Sequence, residues 1–151
     1  MTNFFNKEIK GKLWETILSV AGHRITTSRR VVMQVLACTE TPLAPHDILA
    51  QGRATYPRLG LASFYRTLER FERFGLACRV HIEEKCHSYV AQQPGHRHQV
   101  LCQKCGRATE FLGCDHLDTL IAIVEASTCY QINDHLLQLS GICPTCQDTL
   151  E

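Results

Sequence analysis

At 151 residues, 44% hydrophobic and 21% charged, the chain has the size for one or two small domains, each with its own core. No apolar run approaches the roughly 18–20 residues of a membrane-spanning helix. The opening MTNFFNKEIKGKLWE carries charge where a secretory signal needs an apolar stretch, which predicts a cytoplasmic protein without a membrane partner. The net charge of +1 hides an asymmetry: residues 1–85 carry a balance of +5 and residues 86–151 one of −4. Of nine cysteines, all but Cys38 and Cys78 lie in the second stretch. In a reducing cytoplasm such cysteines point to metal rather than to disulfides. An anion-binding half joined to a metal-binding half is the expected organisation.

In chain order, Leu13, Trp14, Ile17, Leu18 and Ala21 recur at helical spacing, with Gly22 as a C-cap. Thr26, Thr27 and Ser28 offer N-cap oxygens to a helix buried through Val31, Val32, Val35 and Leu36. A third helix starts near Pro45 and runs through Ile48 and Leu49. ASFYRTLERFERFG is the clearest helix, capped by Ser63, ended by Gly75, and apolar at Phe64, Leu68 and Phe71. Its other face carries Tyr65, Arg66, Glu69, Arg70 and Arg73. Alternating runs at Arg79–Ile82 and Ser88–Ala91 read as a hairpin. Helices followed by a hairpin are the order of a winged helix-turn-helix, with the helix before the hairpin placed to enter a DNA major groove. Gln92-Gln93-Pro94-Gly95 reads as a hinge; strands are expected at Gln99–Leu101, Thr109–Leu112 and Tyr130–Leu139. An amphipathic helix over Asp115–Ser127 is expected to turn Leu117, Leu120, Ile121 and Val124 inward. The fold class is α+β: a winged-helix DNA-binding domain (1–91), a hinge (92–95) and a small α/β metal-binding dimerisation domain (96–151).

Cys102-Gln-Lys-Cys105-Gly and Cys143-Pro-Thr-Cys146 carry the strongest chemical signal. Each CxxC turn lets two sulfurs converge, and a closed tetrahedral zinc site needs four such donors. Two independent redox pairs are the alternative, but the βαβ surroundings of a thioredoxin-like site are missing. His96-Arg97-His98 stands just before the first pair, with Glu110 and His135 flanking the site in sequence. On a strand, residues i and i+2 share a face, so His96 and His98 can address one ion. Cys78, His81, Cys86 and His87 lie on or beside the hairpin with donors that suit zinc; Cys78 is the best candidate of the four and joins His96, His98, Glu110 and His135 as a candidate ligand of a regulatory metal. The DNA-facing candidates are Ser63, Tyr65, Arg66 and Thr67 on the fourth helix, with Arg24 and Arg29 upstream. An enzyme reading from His81-Ile82-Glu83 with a later CxxC fails, because Ile142 replaces the proline before Cys143 and a closed four-thiolate site has no open position for water. No catalytic residues and no small organic substrate are expected.

Taken together, GHRITTSRRVVMQVL, LASFYRTLERFERFGLACRV, HRHQVLCQKCGRATEF and NDHLLQLSGICPTC resemble the motifs of the ferric uptake regulator family, over nearly the whole chain. The resemblance implies a homodimeric repressor, in which a corepressor metal closes two winged-helix domains onto double-stranded operator DNA. By position, Tyr65 and Arg66 match the operator-contacting pair, and the four CxxC cysteines match a structural zinc site. His96, His98 and His135 match three ligands of a site in the dimerisation domain. That site's usual acidic ligand falls at Leu117, which leaves Asp115, His116 or Glu110 to substitute. Cys78 and Glu110 match hinge-site ligands of zinc uptake regulators. Gln92, Arg97 and Gln99 stand where zinc-sensing members place cysteine and histidines, and Pro42 where iron-type members carry a histidine. Cys86 offers a displaced thiolate. The resemblance thus favours a zinc sensor with a second zinc as corepressor. Iron, nickel, manganese or peroxide sensing on the same scaffold, or metal-independent DNA binding, stay open.

Overall fold

The computed structural model describes residues 2–82, 85–113 and 116–148. The chain divides into two compact units, Met1–Gly95 and His96–Glu151. No helix among the described residues is long and apolar enough to cross a membrane.

The first unit contains α1 (Thr2–Val20), α2 (Thr27–Ala37), α3 (Pro45–Thr55) and α4 (Leu61–Arg73), then the hairpin β1 (Ala77–Ile82) and β2 (Lys85–Ala91). The Thr26 hydroxyl accepts from the Arg29 amide at 3.3 Å and caps α2. Pro45 opens α3, where its missing N–H is no loss. The fourth helix departs from expectation: it starts at Leu61 behind Gly60, so Ser63 lies inside its first turn rather than at the cap. Gly75 ends it at φ +63, a left-handed conformation that a Cβ would strain. The periodic apolar positions of four helices, Trp14, Leu18, Val32, Leu36, Ile48, Phe64, Leu68 and Phe71, meet in one core with Leu76 from the link to the hairpin. Trp14 meets Phe71 edge-on, with centroids 5.2 Å apart. A bridge between Leu43 and Tyr89 ties the stretch before α3 to the hairpin through reciprocal amide–carbonyl bonds of 2.9 and 2.8 Å.

The second unit is a three-stranded sheet in the order β4-β3-β5: β3 (Arg97–Cys102) central, β4 (Ala108–Leu112) antiparallel to it, β5 (Gln138–Gly141) parallel. Between β4 and β5 runs α5 (His116–Thr128), and a single turn of helix, α6 (Pro144–Gln147), closes the described chain. Two expectations need correction. The strand expected over Tyr130–Leu139 is confined to Gln138–Gly141. Cys129 turns the chain at φ +59, and the amides of Ile132 and His135 bond the Glu125 and Asp134 carboxylates rather than a neighbouring strand. The helix is present, but none of its residues is buried: Leu120, Ile123 and Val124 are exposed, and Leu117 and Ile121 are half-buried. Asp115, its expected first residue, lies outside the described residues.

Candidate metal centres and nucleic-acid face

Cys102 ends β3, Cys105 follows in the turn, Cys143 caps α6 and Cys146 lies within it. The parallel pairing of β3 with β5 is what brings them together, because Cys102 stands opposite Gly141. The four sulfurs lie within 4.8 Å of one another, and Cys105 Sγ is 3.7 Å from Cys143 Sγ. A tetrahedron of zinc–sulfur bonds of ~2.3 Å has edges of about 3.8 Å, so the spacing fits one zinc ion. Hydrogen bonds from the backbone of Cys105, Cys143 and Lys104 draw the Cys102 thiol down to about 6, against the opposing effect of burial. The Cys143 side chain, then burial, then Cys105 and Cys102 push Cys146 up to about 12. With every donor a thiolate and no place left for water, this is a closed structural zinc site.

A second cluster lies at the start of β3. His96 and His98 share a face, with rings 4.7 Å apart, and His135 from the segment before β5 completes the group. Ligand nitrogens of all three lie within 4.8 Å of one another, and His96 Nε2 is 3.0 Å from His135 Nε2. That is close to the ~3.3 Å edge of a tetrahedron with zinc–nitrogen bonds of ~2.0–2.1 Å. His98 is buried and its Nε2 has no hydrogen-bond partner among the described residues. Burial first, then His96 and His135, lower its pKa, which keeps the imidazole neutral and its lone pair available. Gly113 makes the arrangement possible: a Cβ there would lie 2.6 Å from His96 Cδ2. Sequence reading passed over Gly113, because a glycine after a strand carries no sign of the ring packed on it.

The other candidates fall elsewhere. Glu110 is opposite Gln99 in the β3–β4 register, on the sheet face turned away from His98, and pairs with Arg97. His116 opens α5, exposed and outside the cluster. Cys78 belongs to the first unit, half-buried on β1 opposite Val90. His81 and His87 meet across the hairpin with centroids 5.7 Å apart. No third ligand among the described residues joins them. Cys86 lies on β2.

On the first unit, a cleft of about 350 Å³ is lined by Thr26, Ser28, Arg29, Ser63, Arg66, Thr67 and Arg70, with no carboxylate. Arg66 in its lining and the adjacent Tyr65 are exposed on α4, whereas Thr67 is buried and donates its hydroxyl to the Ser63 carbonyl at 2.8 Å. Arg24 is exposed in the loop before α2, and Arg29 donates to its carbonyl. The crowding of positive charge shows in the pKa shifts. Burial and then Arg70 lower Arg29; burial, Arg70, Arg29 and Arg73 lower His23. Such a face gains from a polyanion.

The family model for the ferric uptake regulator family matches residues 20–140. The ferric uptake regulation protein of Legionella pneumophila is 34% identical over 137 residues, covering 86% of this chain and 96% of the relative. The peroxide-responsive repressor PerR of Staphylococcus aureus is 24% identical over 144 residues, covering 94% and 96%. Among solved structures, a zinc uptake regulator complexed with zinc and DNA has the same fold, with a TM-score of 0.79 at 20% identity over 95% of this chain and 97% of that one. The protein belongs to the ferric uptake regulator family, a family of metal-responsive transcription regulators rather than enzymes.

Proposed function

We propose that the protein is a cytoplasmic repressor that binds double-stranded operator DNA as a homodimer when a second metal ion, zinc, is held by His96, His98 and His135. The observation that carries this reading is the convergence of three imidazole nitrogens within 4.8 Å, on a sheet that also carries the four-cysteine site. The two sites differ in openness. Four thiolates close the first, whereas three imidazoles leave a coordination position free, with His96 exposed to solvent. An open site exchanges its ion with the surroundings, as a sensor must.

Exposed apolar side chains of the second unit support the homodimer. Leu120, Ile123, Val124, Leu136 and Leu139 are all exposed, and such side chains on one small unit are covered most simply by its twin. The arginine-lined cleft and the Tyr65–Arg66 pair support DNA as the partner. Imidazole donors accept zinc, iron and nickel, so ligand type alone does not choose among them; the likeness to zinc uptake regulators favours zinc. The test is operator binding by the full-length protein with zinc, iron, manganese or nickel buffered at equal free concentrations. Tightening by zinc supports the reading. Tightening only by another metal makes the protein a sensor of that metal, and equal binding without added metal removes the switch.

A further inference from the structure

Strand β3 carries two chemistries on its two faces. His96 and His98 point one way. Arg97 and Gln99 point the other, joined by Glu110 across the β3–β4 register. Arg97 Nη1 lies 3.7 Å from Glu110 Oε2, with side chains only 23% and 16% exposed. Arg97 Nε and both amide atoms of the buried Gln99 have no hydrogen-bond partner among the described residues.

The family resemblance implies a metal on Glu110, and these residues do not fit one. A guanidinium stays protonated in proteins and offers no lone pair to a cation. Its charge opposes a divalent ion a few ångströms away, and the opposition is strongest where water is scarce. The remaining neighbour, a carboxamide oxygen, suits hard ions rather than zinc.

We propose that Arg97 is a built-in cation: it holds Glu110 in place of a divalent ion, closes this sheet face to metal, and leaves the metal response to His96, His98 and His135. Only the last part rests on the proposed function. The geometry gives Arg97 and Glu110 a mutual dependence, since removing either takes an opposite charge away from the other in a mostly buried place.

The test uses full-length dimeric protein and zinc titrated against a chromophoric chelator, for wild type, Glu110→Gln, Arg97→Met, the double variant and His98→Ala. Affinity for the weaker zinc should stay within about twofold in Glu110→Gln but fall at least about tenfold in His98→Ala, the usual cost of disturbing a ligand set. Thermal unfolding of zinc-loaded protein should show each single variant destabilised and the double variant destabilised by less than their sum. A tenfold weakening in Glu110→Gln, or strictly additive losses of Tm, would overturn the proposal. A wild type that holds only its four-cysteine zinc would sink the histidine-site reading instead. The Arg97–Glu110 pair is then judged by the Tm coupling alone.

Discussion

Gly113→Ala isolates the histidine site with one methyl group. The new Cβ would fall 2.6 Å from His96 Cδ2 and 3.4 Å from its Nε2, where ordinary carbon contacts sit at about 3.5–4.0 Å. One of the two must move by roughly 1 Å. The backbone at Gly113 is held by a hydrogen bond from its amide to the His96 carbonyl, whereas the His96 ring is exposed on its outer side. The ring therefore moves, at little cost to stability. Metal–ligand distances tolerate only about 0.2 Å, so the rotated ring no longer completes the site. The expected loss is ~10–100-fold in affinity for the weaker zinc, or about 1.4–2.7 kcal/mol. Competition with a chromophoric chelator measures it, and circular dichroism and the retained tight zinc report on the fold. Unchanged affinity for the weaker zinc would refute the placement of His96 in the site. Loss of both zinc ions would mean that the substitution disrupts the unit rather than one ligand.

Cys102→Ser or Cys143→Ser should remove the tightly held zinc and unfold the second unit, since a structural zinc contributes on the order of 10 kcal/mol or more to a small domain; zinc content by mass spectrometry and a melting curve check this. Tyr65→Ala and Arg66→Ala should abolish operator binding in a gel-shift assay while leaving zinc content and dimer mass intact, because both side chains are exposed on α4. Acidification should strip the weaker zinc by protonating its imidazoles. Burial and the neighbouring His96 and His135 hold His98 below the ordinary histidine value of 6.5, so protonation of this ligand adds to the loss only beneath that pH, as a zinc titration across pH would show. A sharp loss between pH 8 and 7 would contradict that sign.

The parts of the fold that were legible are those in which local chemistry and long-range packing agree. The helix of Phe64, Leu68 and Phe71 reads plainly because the same periodicity that makes it amphipathic also builds the core. The four-cysteine site reads plainly because each CxxC pair is local and a tetrahedral four-thiolate zinc site takes two of them. The segment Tyr130–Leu139 misled: its apolar residues suit a strand, but carboxylates of Glu125 and Asp134 take up amides that a strand would need. Leu120 and Val124 misled differently, because an amphipathic pattern reveals that a face wants cover and not whether its own chain supplies it. Glu110 lay close in sequence to the histidines, but the β3–β4 register puts it on the opposite face, and register is set by pairing that spacing alone does not reveal. The trio itself needed His135 to arrive from 37 residues beyond His98, through the parallel strand.

The proposed switch is metal on His96, His98 and His135 controlling the hold on DNA. It is tested most directly by operator affinity against buffered free zinc, measured side by side for wild type and His98→Ala with the four-cysteine zinc retained in both. A ligand shifts a two-state equilibrium only by its differential affinity for the two states. Wild type should tighten at least about tenfold, a coupling of ~1.4 kcal/mol, and His98→Ala should need far more free zinc for the same response. If the two proteins titrate together, the histidine cluster is not the switch.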